Sequence, residues 1–117
     1  MTTNTPHSPR MIQFQYFEGC PNAKQTLEHL RMVQAELGID SREIDIVEVP
    51  DAASSERLHF QGSPTILIDG VDIYTGEKPE GSSYTCRVYL FDGKRTGVIP
   101  LEFIRAKLRT MISPDTK

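Results

Sequence analysis

The sequence has no tryptophan and only two cysteines in 117 residues. Two thiols are too few for the disulfide scaffold of a small secreted domain. Long apolar runs are missing too, and none approaches the ~20 residues that a membrane-spanning helix needs. The opening MTTNTPHSPR carries no apolar stretch, so it does not read as a secretory signal, and a cytoplasmic location is the expectation. There is no excess of positive charge: 13 basic and 16 acidic residues leave a net charge of -3. That offers no basic footprint for nucleic acid or an anionic membrane surface. No glycine-rich phosphate loop, Ser-His-Asp arrangement or four-ligand zinc spacing is present. No cofactor and no metal is therefore expected.

What is present suits one compact domain rather than two. Apolar residues make up 38% and charged residues 25% of the chain, as in ordinary globular proteins. Residues 1–10, with Pro6 and Pro9, and residues 113–117, SPDTK, read as disordered ends flanking a domain over 11–112.

Within that domain the hydrophobic period changes several times. In residues 11–17, MIQFQYF, Ile12, Phe14 and Tyr16 alternate with Gln13 and Gln15, which predicts a strand. Gly19 and Pro21 break the alternation. Ala23, Leu27, Leu30, Val33 and Leu37 then make a stripe of helical spacing, predicting a helix over 21–37 with Pro21 in its first position and Gly38 at its end. Residues 42–49, REIDIVEV, predict a second strand, and 51–59 a short helix. FQGSPT is a turn cluster. Residues 65–69 and 71–74 flank Asp69-Gly70, a strong hairpin signal. A polar loop, 75–83, leads to a β-prone run over 84–91, YTCRVYLF, and DGKRTG turns again. Leu101, Ile104, Leu108 and Met111 give a final amphipathic helix, with Pro100 near its start. The order is β-α-β-α-β-β-α, an α/β fold. Its first βαβ unit requires a parallel strand pair.

The chemistry concentrates where the first strand meets the first helix. Cys20 precedes Pro21 at the predicted helix N-terminus. Unsatisfied N–H groups and the positive end of the helix dipole gather there, and both favour a thiolate. The C-terminal end of a parallel strand is also where open α/β sheets place ligands. Cys20 is thus expected to be partly exposed and reactive, against the plainer alternative of a cysteine that only fills space. Gly62-Ser63-Pro64-Thr65 precedes the third strand. If Ser63–Pro64 is cis, the backbone of Ser63 lies open beside the thiol, where an extended peptide or thiol ligand can pair with it. X-Pro bonds are cis in only ~5–6% of cases, so the sequence by itself does not decide this.

Strand-Cys-Pro-x-x-helix followed by Ser-Pro-Thr, a hairpin and a terminal helix resembles the thioredoxin superfamily over roughly residues 11–112. More narrowly, YFEGCPN (16–22), GSPTILIDG (62–70) and SYTCRVY (83–89) resemble a family of small bacterial thioredoxin-like proteins. Some of its members carry selenocysteine at the position of Cys20, and some are described as alkylmercury lyase-like. The resemblance implies a thioredoxin-like domain with a four-stranded mixed sheet and flanking helices, and a β-prone insertion before the last helix. It also implies a cis Pro64 facing Cys20 and a redox role for Cys20. Cys20 and Cys86 are the candidate catalytic residues; Ser63, Pro64, Thr65, Pro21 and Asn22 are the candidate substrate contacts.

One departure shapes the mechanism. Dithiol thioredoxins carry Cys-x-x-Cys, whereas this motif is Cys20-Pro21-Asn22-Ala23, and alanine cannot resolve a mixed disulfide. Either an external thiol such as glutathione resolves the adduct, or Cys86 does, which requires Cα atoms within about 7 Å. Arg87 follows Cys86, but neighbouring strand residues point to opposite faces, so it is not automatically an activating charge. His29 lies off the helical stripe and is expected to be solvated. His59 ends the short helix.

Three functions remain open. The first is a thiol-dependent redox protein that attacks a disulfide, a peroxide or another electrophile, with a small thiol or a protein disulfide as partner. The second is an organomercurial lyase-like or mercury-binding dithiol protein, since soft thiolates suit a soft metal. The third is a non-catalytic thioredoxin-like binding scaffold. Oligomeric state is left open.

Overall fold

A computed structural model describes residues 12–112; the expected disordered ends, 1–10 and 113–117, lie outside the described residues. The elements are β1 (Ile12–Tyr16), α1 (Ala23–Glu36), β2 (Ile44–Glu48), α2 (Ala52–Leu58), β3 (Thr65–Ile68), β4 (Val71–Asp72), β5 (Tyr89–Phe91), β6 (Lys94–Thr96) and α3 (Leu101–Met111). The chain is thus α/β, with a four-stranded mixed sheet ordered β2-β1-β3-β4. β1 runs parallel to β2 and antiparallel to β3, and β4 folds back on β3. A separate two-stranded sheet, β5-β6, precedes α3.

The register explains the core. Ile12 sits opposite both Ile44 and Ile68, and Phe14 opposite both Ile46 and Ile66. On one face of the sheet, all of these but Ile46, which is exposed, form a common core with Leu30 and Val33 of α1 and Ile104 and Leu108 of α3. An Arg105–Glu36 ion pair at 3.0 Å joins the two helices at the surface. The other face is covered at its centre as well. Gln15, read from the alternation as a polar-side residue, is 2% exposed beside buried Thr65, and its amide donates to Gln13 Oε1 at 2.6 Å.

Several boundaries differ from expectation, each for a local reason. Pro21 lies outside α1, which starts at Ala23, because the chain first makes a tight turn in which Ala23 N donates to Cys20 O at 3.4 Å. β2 begins only at Ile44 because the Asp40 side chain accepts from Arg42 N and closes a 3-10 turn over Ser41–Glu43. β4 stops at Asp72, whose carboxylate accepts from Tyr74 N at 2.8 Å and turns the chain. Asp69 and Gly70 take positive φ values of 53° and 82°, as the expected tight hairpin requires. Of the β-prone run 84–91, only Tyr89–Phe91 is a strand; DGKRTG, read as a turn, supplies β6. Asp92-Gly93 is therefore a second hairpin turn, also at positive φ. Among the described residues no helix is long and apolar enough to cross a membrane.

Candidate functional site

β1 ends at Tyr16, and the next four residues carry the chain to Cys20. The amide of Cys20 donates to Phe17 O at 3.2 Å, which fixes this loop as a turn. Cys20 is only 9% exposed, so the partly open thiol expected from the sequence is instead nearly buried. The physical reason is its neighbour: the Cys20 thiol donates to the carbonyl of Ser63 at 3.6 Å, and Ser63 is fully buried.

Ser63 is the hub of the site. Its hydroxyl accepts from Phe17 N at 3.2 Å, tying down the loop that carries Cys20. Its own amide donates to Thr85 O at 2.9 Å, and its carbonyl accepts from Arg87 N at 2.9 Å. These two bonds make a parallel bridge between Ser63 and Cys86. The Ser63–Pro64 bond is cis. The expectation of an open Ser63 backbone therefore fails: the chain's own residues 85 and 87 already occupy it.

The bridge brings the second cysteine to the first. Both are free, Cys20 buried and Cys86 exposed. The Cys86 thiol is pushed above its ordinary value of 9.0, first by partial desolvation, then by the charge of Cys20 and a hydrogen bond to it. Both Cys20 effects keep the proton on Cys86.

A strap, residues 80–90, holds Cys86 in place. At its start, Gln61 Nε2 donates to Glu80 O at 3.0 Å, and Ser83 N donates to Phe60 O at 2.7 Å. Tyr84 packs edge-on against Phe17, ring centroids 5.3 Å apart, and tilted against Phe60. In the middle, Arg87 turns inward. Its guanidinium donates to Asp72 Oδ2 at 2.7 Å and Thr65 Oγ1 at 3.0 Å, and stacks 4.7 Å from the Tyr89 ring centre. Asp72 is 1% exposed, so this is a buried, hydrogen-bonded ion pair. Tyr89 donates from its hydroxyl to Pro64 O, and burial raises its pKa, so it stays a donor. At the end, Leu90 N donates to the Tyr74 hydroxyl at 3.1 Å. Gly62 is part of the same fit: at φ +113° a Cβ there would stand 2.9 Å from Arg87 Cβ.

The remaining candidates fall into place around this hub. Thr65 is buried, with its hydroxyl donating to Gly62 O at 2.6 Å, so it supports the loop from within and does not face a ligand. Pro21 is exposed beside Cys20. Asn22 lies against Gly97, where its amide fills the space a Cβ would need. His29 is not solvated as expected: its Nδ1 lies 2.8 Å from Ile99 O, tying α1 to the approach to α3. His59 caps α2 in the left-handed conformation at φ 54°. Arg87 and Asp72 were not singled out as site residues. The available signal was a charge set inside each of two apolar runs, VDIY and CRVY.

A pocket of about 350 Å³ adjoins Cys20 on its other flank, between α1 and β2, walled by Phe14, Tyr16, Leu27 and Ile46. Ser63, Pro64 and Cys86 do not line it. Among the described residues no group of three or more His, Cys, Asp or Glu side chains is arranged to hold a metal ion. No family model, curated protein or solved structure matches the chain.

Proposed function

We propose that this protein is a thiol-dependent redox protein whose working unit is the Cys20–Cys86 pair. One observation carries the proposal: two free thiols, distant in sequence, meet at one residue, Cys20 bonding the Ser63 carbonyl and Cys86 forming a bridge to Ser63. A thioredoxin-like reading of the fold is supported by the run from β1 through Cys20-Pro21 into α1, and by Ser63-Pro64 entering β3 beside that cysteine. Ala23 leaves the motif without a second thiol, and Cys86 supplies one from the strap.

The chemistry follows the proton. Cys86 holds its proton more tightly than an ordinary thiol, so the attacking role falls to Cys20, which gives up to solvent the proton it donates to Ser63 O as it attacks. It attacks one sulfur of a disulfide R–S–S–R; that S–S bond breaks and one RS⁻ leaves and takes up a proton. Cys86 then loses its proton and attacks Cys20 Sγ, forming the Cys20–Cys86 disulfide and releasing the second RS⁻, which is protonated in turn. The substrate gains two electrons and becomes two thiols, and the protein dithiol is oxidised. An external thiol reductant restores it by the reverse exchange. Peroxide turnover is a second reaction open to the same pair, through a sulfenic acid on Cys20 that Cys86 condenses with.

The test is Cys20→Ser, assayed for disulfide reduction and for peroxide turnover. Loss of both activities, or of whichever the parent shows, is expected. Activity that survives the replacement overturns the proposal.

A further inference from the structure

We infer that the oxidant taken by this dithiol is a low-molecular-weight disulfide and not a polypeptide disulfide, because the strap carrying Cys86 already occupies the backbone position a polypeptide would use. The inference rests on the dithiol reading above and narrows it. An extended peptide docks beside a thiol by adding a strand, and needs an N–H and a C=O free to pair. Ser63 is the residue whose backbone touches Cys20, and neither of its groups is free. Its N–H goes to Thr85 O and its C=O takes Arg87 N and the Cys20 thiol.

The strap is not loosely laid there. The buried Arg87–Asp72 pair, the Arg87–Thr65 bond and the Tyr89–Pro64 bond all pull it onto the Ser63–Pro64 loop. Gly62 has no side chain, which lets the strap approach so closely that even a Cβ would collide. Burial of Cys20, itself a product of Ser63 and the strap, adds a second restriction. Thiol–disulfide exchange depends on access to the attacking sulfur, and a sulfur on a residue only 9% exposed is reached by a small molecule far more readily than by a folded chain.

The step is the exchange already described: Cys20 thiolate displaces RS⁻ from the small disulfide, and Cys86 displaces the second. The exposed Cys86 sulfur of the resulting disulfide is the one open to a reductant from solution.

The experiment uses the full chain in a Cys86→Ser background, where a mixed disulfide on Cys20 forms and cannot resolve. Adducts are followed by intact mass, with 2-hydroxyethyl disulfide as the small probe and intact insulin, whose disulfides are all present, as the polypeptide. Each rate is divided by that of dithiothreitol with the same probe. The expected result is a normalised preference for the small disulfide of about 100-fold or more. Adding Asp72→Asn with Arg87→Met, which releases the strap without leaving one charge buried alone, should raise the polypeptide rate at least tenfold. Equal normalised rates in the strapped protein overturn the inference while leaving the dithiol reading intact. A protein that forms no adduct with either probe overturns the dithiol reading, and this inference with it. Should the doubly substituted strap fail to fold, the strapped protein's preference still decides between these outcomes.

Discussion

A carbonyl oxygen has two lone pairs, and the one on Ser63 serves a thiol and an amide at once. This is how two cysteines 66 positions apart come to share one neighbour. The coupling has a sign that can be measured. A charge on Cys20 and its hydrogen bond both oppose loss of the Cys86 proton, and partial desolvation adds to them. Cys20→Ala removes two of these three causes. The pH at which Cys86 reaches half its maximal alkylation rate should therefore fall toward, and stay above, its ordinary value of 9.0. At pH 8 the alkylation rate should rise. A midpoint that does not move would show that the thiols do not sense each other. The place of Cys20 between the first strand and the first helix was legible in the sequence, because the hydrophobic period changes around it. Its burial was not: burial comes from Ser63 and the strap, which lie 43 and more positions away.

At the scale of elements, the strap is held by a charge pair that desolvation makes costly to break. Arg87→Met leaves the buried Asp72 carboxylate its backbone hydrogen bond from Tyr74 N but no counter-charge, and should cost about 3 kcal/mol. Asp72→Asn together with Arg87→Met should cost clearly less than Arg87→Met alone, since no lone charge remains. Urea unfolding of the three proteins checks both statements, and a single variant no less stable than the double would refute the ion-pair account. α1 and α3 were readable from periodicity because each buries one stripe against the core, and the hairpin from its Asp69-Gly70 turn pair. β6 was not, because Lys94-Arg95-Thr96 buries almost nothing and carries no apolar alternation. The extended course of residues 84–88 was legible as β-prone sequence. What it pairs with was not, since a single bridge to Ser63 leaves no pattern in either segment.

For the molecule as a whole, a Cys20–Cys86 disulfide would close a loop spanning most of the sheet, from the end of β1 to the strap. Constraining the unfolded chain over that distance stabilises the oxidised form by about 4 kcal/mol on a chain-entropy account. Urea unfolding of oxidised and reduced protein should show that gap. An oxidised form no more stable than the reduced one would mean that the closed bridge distorts the strap. The β1–β2 and β3–β4 pairs followed from the parallel βαβ unit and the hairpin, both visible in the sequence, but the antiparallel β1–β3 pairing that joins them did not. The close fit of the strap over the sheet end did not follow from either. That fit also constrains how the chain can vary. Gly62 and the 85–87 segment share one space, so a mutation that gives residue 62 a side chain first has to lift the strap. A side chain at position 62 and a second thiol held beside the first are therefore alternatives.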